Sequence, residues 1–256
     1  MGVLNVTPDS FSDGGRHDSD EAAVAHGLAL VAEGADIVDV GGESSRPGAE
    51  PVPVEVELAR VVPVVEALAG RVRVSVDTVK PEVAEAAVRA GATLVNDISA
   101  TLWEVAAAAG VGWVAMHMQG SPRTMQEAPR YDDVVDEVHA FLLERARAAR
   151  AGGVTEVWVD PGIGFGKSTA HNLSLLRHLP ELVAGAAAAG CAGVMVGTSR
   201  KRFLGQLVTG DAADPGDRGE ASLATAAGAM VAGAAMIRVH DVAATVQAAR
   251  LYGPAA

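Results

Sequence analysis

The stretch KPEVAEAAVRAGATLVNDIS, residues 80–99, combines the two kinds of element that recur along this chain. Its first part is an Ala-rich helical pattern that ends in Ala-Gly, and glycine suits a helix C-terminus where the chain turns back sharply. Its second part is a short strand candidate that ends in polar residues. Most runs of this second kind are almost continuously apolar, which is typical of strands buried on both faces of a parallel sheet.

Eight such runs recur, with helical patterns between them. They span residues 2–7, 35–42, 72–78, 93–99, 111–117, 156–162, 192–199 and 235–240. Eight strand–helix units in about 250 residues are the count and the size of a (β/α)8 barrel, whereas an open doubly wound sheet more often has fewer strands. Because no change of composition resembles a linker, we predict a single α/β domain over residues 1–256, folded as a (β/α)8 TIM barrel.

The composition restricts the class of partner. Twenty Lys and Arg residues face 32 Asp and Glu residues, which gives a formal net charge of −12. This balance argues against binding to nucleic acid or to an anionic membrane, but a local group of cations can still bind an anionic small molecule. No leader pattern follows Met1, and the apolar run ATAAGAMVAGAAMI is shorter than the ~18–20 residues of a membrane span. We therefore expect a cytoplasmic protein.

Polar side chains stand where the strand candidates end, which is where a (β/α)8 barrel has its active site. A single polar residue there can be a helix cap or turn residue, as we expect for Thr78 and Ser99. Carboxylates, amides and cations that converge on one rim instead predict a binding site. The candidates are Asn5, Ser45, Arg46, Asp77, Asn96, Met116, Asp160, Ser199, Arg200, Lys201, Arg238 and His240.

These side chains divide into two chemical groups. Asp77, Asn96 and Asp160 offer hydrogen-bond acceptors and an amide, which suit a flat heterocycle with several N–H donors along one edge. Lys201, Arg238 and His240 offer cations, and an oxygen of Asn5 could bind Mg²⁺; this second group suits a phosphate or pyrophosphate. We expect His117, at the end of the fifth run, to be structural.

Two glycine-rich segments lie near this rim. PGIGFGKS, residues 161–168, is not a nucleotide-binding P-loop, because that motif requires glycine where Pro161 stands. We expect it to let the backbone approach a flat ligand, with Phe165 as a packing surface. NVTPDSFSDGG, residues 5–15, is long enough to act as a mobile lid.

With these residues in place, the chain resembles the dihydropteroate synthase family of the folate pathway. The motifs that carry the resemblance run from the first strand almost to the C-terminus. They are NVTPDSFSDGG, DVGGESSRPGA, SVDT, NDIS, MHMQGSPRTMQ, DPGIGFGK, GTSRKRFLG and IRVHDV. The resemblance implies a (β/α)8 barrel that joins 6-hydroxymethyl-7,8-dihydropterin pyrophosphate to p-aminobenzoate and releases pyrophosphate. It also implies Mg²⁺ as cofactor and a homodimer.

The resemblance also assigns residue roles. Asp77, Asn96, Asp160 and Lys201 would hold the pterin, and Asn5 would bind Mg²⁺. Arg238 and His240 would bind the pyrophosphate, with Ser45 on the same side. The residues that would complete the aminobenzoate site from two mobile loops are Asp9, Phe11, Arg46 and Pro47.

Two other readings stay open from the sequence. The pterin-binding domain of methyltetrahydrofolate-dependent methyltransferases has a related barrel, and a pterin-binding paralogue without activity is also conceivable. The loop motifs NVTPDSFSDGG and SSRPG favour the synthase over the methyltransferase domain. The presence of Asp9, Arg46, Lys201, Arg238 and His240 argues against an inactive paralogue.

Overall fold

A computed structural model describes residues 1–7, 16–45, 48–209 and 218–252. Within these ranges it has eight strands and ten α-helices, mostly in alternation. The strands are β1 Gly2–Asn5, β2 Ile37–Gly41, β3 Arg73–Asp77, β4 Leu94–Asp97, β5 Gly112–Met116, β6 Val157–Asp160, β7 Gly193–Val196 and β8 Met236–Ile237. The helices are α1 Arg16–Ala32, α2 Val54–Leu68, α3 Pro81–Arg89, α4 Trp103–Ala109, α5 Val134–Ala151, α6 Thr169–Arg177, α7 Leu179–Ala188, α8 Arg202–Thr209, α9 Gly219–Val231 and α10 Val242–Tyr252.

The eight strands form one curled parallel sheet in the order β1 to β8. Each lies inside the run that the sequence predicted, so the eight strand predictions are confirmed. The register places Asn5 beside Gly41, Gly41 beside Asp77, and Asp77 beside Asn96. The C-terminal ends of neighbouring strands therefore meet at one edge, which brings their polar side chains together.

The predicted Ala-Gly helix ends are also confirmed. Gly110 caps α4 in the left-handed region, at a φ of 67°. Gly91, after α3, has a φ of 115°, and a Cβ there would lie 2.6 Å from the Cβ of Ala69. Glycine avoids both the conformational penalty and the clash, so the chain can turn from each helix directly into the next strand.

Side chains alternate between the two faces of the sheet, one toward the helices and one away from them. On the face away from the helices, an apolar layer is followed by a polar layer nearer the C-terminal ends of the strands. Val38 and Val40 pack in the large core between the sheet and the helices, whereas Ile37 belongs to a second apolar cluster on the other face of the sheet. Since side chains two residues apart share a face, the next residue on that second face is Asp39. The same step of two residues leads from Leu94 to Asn96, from Met236 to Arg238 and from Trp158 to Asp160. The residues reached by this step, Asp39, Asn96, Asp160 and Arg238, are called the polar layer below.

Backbone hydrogen bonds connect the segment after β8 to the first strand. The Val3 N–H donates to the carbonyl of Val239 at 2.9 Å, and the Val239 N–H donates to the carbonyl of Met1 at 3.0 Å. Gly2 and Val239 form an isolated parallel bridge. Within the described ranges, no helix combines the length and the apolar character that a bilayer span requires.

Candidate active site

A buried ion-pair cluster stands at the centre of the polar layer. Arg238 Nε donates to Asp39 Oδ2 at 2.6 Å, and Arg238 Nη2 donates to Asp77 Oδ2 at 2.7 Å. Asn96 Nδ2 also donates to Asp39 Oδ2, at 3.0 Å. The Asp39 side chain is completely buried, while that of Arg238 is 20% exposed. One guanidinium thus ties together residues from β2, β3 and the segment after β8.

The sequence analysis missed Asp39, because it considered only the ends of the strands. A detectable signal was present, since a carboxylate in the middle of the apolar run IVDVG is costly to bury without a partner. Its partner Arg238 lies 199 residues away in the sequence, so no local pattern could have identified the pair.

The cluster shifts the pKa of Asp77 and of Arg238. Burial raises the pKa of Asp77 to about 7; the cation of Arg238 opposes this rise, and the carboxylate of Asp39 adds to it. Burial alone would lower the pKa of Arg238, but Asp39 and Asp77 raise it above its ordinary value. Arg238 is therefore a permanent cation, and Asp77 can exchange a proton near neutral pH.

Lys201, Phe165 and Asp160 form the adjoining part of the site. Lys201 Nζ lies 3.9 Å from the centre of the Phe165 ring, a cation–π contact. Burial lowers the pKa of Lys201 to about 8, against the effect of Asp160. Burial also raises the pKa of Asp160, whose Oδ1 accepts a hydrogen bond from the Gly162 N–H at 2.7 Å. The face of the Phe165 ring thus contacts a cation in this structure, and its packing against a flat ligand stays a prediction.

Three side-chain oxygens near the ion-pair cluster stand unused. Among the residues that the structure describes, Asn96 Oδ1, Asp39 Oδ1 and Ser75 Oγ are buried side-chain oxygens without a hydrogen-bond partner, and Ser75 lies beside Asp39 in the register of β2 and β3. A buried acceptor without a donor costs about 1–3 kcal/mol, so a bound molecule with N–H groups would relieve that cost. Such donors are what the sequence analysis expected of a flat heterocycle.

Ser199 and His240 form a separate polar pair. The His240 N–H donates to Ser199 Oγ at 3.1 Å, and the same oxygen lies 3.0 Å from His240 Nδ1. Burial and the cations of Arg238 and Arg200 lower the pKa of His240 to about 4. His240 is therefore a neutral imidazole at pH 7, and its description as a cation in the sequence analysis is wrong. A neutral ring that accepts at Nδ1 carries its proton on Nε2, where it can still donate to an anion.

Arg200 is turned toward a carboxylate. Its backbone is left-handed, with a φ of 58°, and Nη2 donates to Asp241 Oδ1 at 2.7 Å in an exposed ion pair. The cation is thus paired on the surface. Of the three successive cations in SRKRF, Lys201 packs on Phe165, Arg200 pairs with Asp241, and Arg202 begins α8.

The remaining candidates occupy different places. Met116 is buried with Ile98, Met125 and Phe165 in a small apolar cluster. Asn5 ends β1 next to Gly41. A Cβ on Gly41 would lie 3.5 Å from Asp77 Cβ and 3.8 Å from Asn5 Oδ1, so both side chains border this glycine. Ser45 is half-buried after β2. Outside the described residues lie Asp9, Phe11, Arg46 and Pro47, together with most of the predicted lid over residues 5–15.

The lysine of GFGK has a partner set of its own. Lys167 is only 2% exposed, and its Nζ lies 2.9 Å from His117 Nδ1. It also donates to the carbonyls of His117, Gly162 and Phe165, at 3.2, 3.1 and 3.0 Å. Burial lowers the pKa of Lys167 to about 7, whereas the three carbonyls favour the protonated amine. The amine of Lys167 thus binds carbonyls of its own loop, which agrees with the conclusion that this segment is not a P-loop.

His117 and Asp97 have structural environments. Burial, and then Lys167, lower the pKa of His117 to about 3, so the ring is neutral and accepts at Nδ1. Asp97 Oδ2 accepts from the N–H groups of Thr101 and Leu102 and from Trp113 Nε1. Its Oδ1 accepts from the Ser99 N–H at 2.8 Å. The carboxylate next to Asn96 thus organises the turn into α4.

The fold and the site together define a pterin-binding enzyme: the sequence pattern of the pterin-binding enzyme family matches residues 1–240, and the chain belongs to that family. The chain is similar to dihydropteroate synthases within it. That of Escherichia coli strain K12 is 50% identical, and the alignment covers 98% of this chain and 89% of the relative.

Solved structures of such synthases have the same fold. Xanthomonas albilineans dihydropteroate synthase with 4-aminobenzoic acid is 52% identical, with a TM-score of 0.89 over 98% of this chain and 90% of the other. The Xanthomonas albilineans enzyme in complex with 7,8-dihydropteroate is 49% identical, with a TM-score of 0.84 over 98% of this chain and 91% of the other.

Proposed function

We propose that this protein is a dihydropteroate synthase, a transferase of folate biosynthesis. It would join 6-hydroxymethyl-7,8-dihydropterin pyrophosphate to p-aminobenzoate and form 7,8-dihydropteroate and pyrophosphate. The observation that carries the proposal is the polar layer itself, where unused buried acceptors adjoin Lys201 and Arg238. This arrangement provides one end for a heterocycle and one for an anion.

The pterin would lie between the carboxylates and Phe165. Its aminopyrimidine edge offers N–H donors to Asp160 and to Asn96 Oδ1, and a carboxylate can accept two hydrogen bonds from such an edge. Lys201, held over the Phe165 ring, would donate to a ring acceptor. Asp77 would hydrogen-bond to the remaining polar edge of the pterin, since its carboxyl group can exchange a proton near pH 7.

The reaction needs charge stabilisation at the leaving group. The C–O bond to the pyrophosphate breaks, the p-aminobenzoate nitrogen forms the new C–N bond and loses a proton, and the pyrophosphate leaves with the bonding electrons. Arg238 offers a fixed cation next to this group, and the Nε2–H of neutral His240 offers a donor. Groups that are held in place before charge develops reduce the barrier, because they need no reorganisation during the reaction.

Mg²⁺ would assist at the same end of the site. Asn5 Oδ1 suits a hard cation, and Mg²⁺ commonly takes few protein ligands and binds substrate phosphates as well. The position of this oxygen beside Gly41, close to Asp77, fits a cation near the pyrophosphate. When bound, the ion would neutralise charge on the pyrophosphate.

The p-aminobenzoate site is proposed from the motifs. It would be completed by residues outside the described ranges, namely Asp9, Phe11, Arg46 and Pro47, while Ser45 would lie on the pyrophosphate side. We also propose a single cytoplasmic domain over residues 1–256 that acts as a homodimer.

The sheet is further proposed to close into a complete (β/α)8 barrel. The hydrogen bonds between Val239 and residues 1 and 3 support this closure. Amide exchange tests it: the N–H groups of Val3 and Val239 should be protected as strongly as those inside β2 and β3, and rapid exchange would contradict closure.

The experiment that tests the function measures pyrophosphate release from the pterin substrate with and without added p-aminobenzoate. Release that depends on p-aminobenzoate and Mg²⁺, together with formation of 7,8-dihydropteroate, is the expected result. Pterin binding without any release would instead indicate a protein that binds pterin without catalysing transfer.

A further inference from the structure

The turn over residues 161–166 is folded around a single buried amine. Lys167 Nζ has four acceptors within 3.2 Å, and three of them are backbone carbonyls, those of His117, Gly162 and Phe165. Carbonyl oxygens that converge on one buried point repel one another unless a donor lies between them. The amine of Lys167 therefore holds together a backbone arrangement that is unfavourable without it.

The glycines of this turn permit the close approach. Gly162 and Gly166 have φ values of 65° and 61°, in the left-handed region. A Cβ on Gly162 would lie 1.8 Å from the carbonyl oxygen of His117, and one on Gly166 would lie 2.3 Å from that of Gln119. The turn is thus pressed against the segment after β5 with no space for side chains at either position.

Donors from that segment hold the turn from the outside as well. Gln126 Nε2 donates to the carbonyl of Gly164 at 2.7 Å, and the Tyr131 hydroxyl donates to the carbonyl of Gly166 at 2.8 Å. Since Gln126 is exposed, solvent can replace its bond. Lys167 is almost completely buried, so bulk solvent does not compete for its four acceptors.

This turn carries two contacts of the active site. The Gly162 N–H donates to Asp160 Oδ1 at 2.7 Å, which sets the direction of the carboxylate. Phe165 presents its ring to Lys201 Nζ at 3.9 Å. Lys167 holds the carbonyls of these same two turn residues, Gly162 and Phe165, so its contacts set the spacing between Asp160 and Lys201.

We infer that Lys167 is a positioning residue for the heterocycle half of the site: it fixes the turn that orients Asp160 and Phe165 and does not itself touch the pterin. This inference rests on the proposed synthase function. It concerns only the pterin side, because the contacts of Lys167 all lie on the turn and on His117.

The test compares Lys167→Met with a core variant that lowers stability far from the site. Leu68→Ala is suitable, because Leu68 is fully buried at the C-terminal end of α2, whereas the site lies at the C-terminal ends of the strands. Binding of 6-hydroxymethyl-7,8-dihydropterin is measured by calorimetry, and the KM values of both substrates are measured by pyrophosphate release, well below the Tm of each variant.

We expect Lys167→Met to raise the Kd and the KM of the pterin at least tenfold and to change the KM of p-aminobenzoate less than twofold. Leu68→Ala should change neither affinity by more than twofold. If Lys167→Met does not fold, Lys167→Gln is used instead; its amide has two donors for four acceptors, so it holds the turn only in part, and the Kd and the KM of the pterin should rise at least threefold.

Three results would overturn the inference, and a fourth would remove the proposed function on which it rests. A folded Lys167 variant with the pterin Kd of the wild type would show that the turn does not need the amine. Equal weakening for both substrates, or an equal effect of Leu68→Ala, would show a general loss of stability. A wild-type protein that binds no pterin would remove the proposed function itself, which the first calorimetric measurement reveals before any variant is made.

Discussion

Replacement of Arg238 by methionine should destabilise the fold as well as stop the reaction. The guanidinium compensates the carboxylate of Asp39, which is completely buried, and that of Asp77, which is 13% exposed. Methionine has a comparable length but no charge and no donors. The variant therefore leaves the buried Asp39 carboxylate without its cation and raises the pKa of Asp77 further, because Arg238 is the group that lowers it.

The size of the effect follows from this burial. Breaking a buried ion pair by removal of one partner typically costs about 3–5 kcal/mol, because the other charge stays uncompensated. For a chain of this size, 1 kcal/mol corresponds to roughly 2–4 °C in Tm, so the loss is about 6–20 °C. Turnover should fall at least ~100-fold, the usual effect of removing a group that stabilises developing charge.

A matched control separates the effect of burying an ion pair from the effect of forming one. Arg200 forms an ion pair with Asp241 at 2.7 Å, as short as the pair between Arg238 and Asp77, but its side chain is 42% exposed. Exposed pairs contribute about 0–1 kcal/mol, so Arg200→Met should change the free energy of unfolding by no more than that. Urea unfolding of both variants at pH 7 gives the comparison.

A second variant tests the cause. Adding Asp39→Asn to Arg238→Met removes one uncompensated charge, so part of the lost stability should return while turnover stays low. If Arg238→Met costs less than about 1 kcal/mol, or if Asp39→Asn restores nothing, the buried cluster does not have the energetic role derived above.

Four further predictions concern single positions. Lys201→Met should lower turnover at least ~100-fold with little change in Tm; retained activity would remove Lys201 from the site. Gly164→Ala should cost about 1–2 kcal/mol and raise the KM of the pterin, because Gly164 has a φ of 85° and its Cβ would lie 3.1 Å from Lys201 Cδ. The pKa of His117 is about 3 when folded and ordinarily 6.5, so only the unfolded chain takes up this proton as the pH falls from 6.5 to about 3. His117 should then lower stability by up to about 1.4 kcal/mol per pH unit, and in urea titrations the slope of His117→Phe should differ from that of the wild type by this amount, because the contributions of His240 and Asp77 are common to both proteins. Asp97→Ala should cost at least about 3 kcal/mol and leave the KM of the folded protein near normal, whereas Asn96→Ala should mainly abolish pterin binding in calorimetry.

The strands and the glycine helix ends could be predicted because they depend on short-range patterns. An apolar run such as GWVAM, residues 112–116, can be buried on both faces in almost any parallel sheet, and a glycine at the end of a helix permits the left-handed turn that follows. The position of Asp77, Asn96 and Asp160 at strand ends followed from the same patterns. Asn96 was chosen over Asp97 as a site candidate, and the structure shows how the two adjacent residues differ: they project to opposite faces of β4, Asn96 toward Asp39 and Asp97 toward the turn into α4.

The sequence by itself determined the eight strand–helix units and the chemical character of their polar edge, since both are properties of neighbouring residues. Only the tertiary structure decided which charges pair. It placed Arg238 between Asp39 and Asp77, turned Arg200 toward Asp241, made His240 neutral, and buried Lys167 under the turn that carries Phe165. The physical reason is that burial and the distance to other charges control pairing and pKa, and both arise from residues of different strands that meet only when the sheet forms.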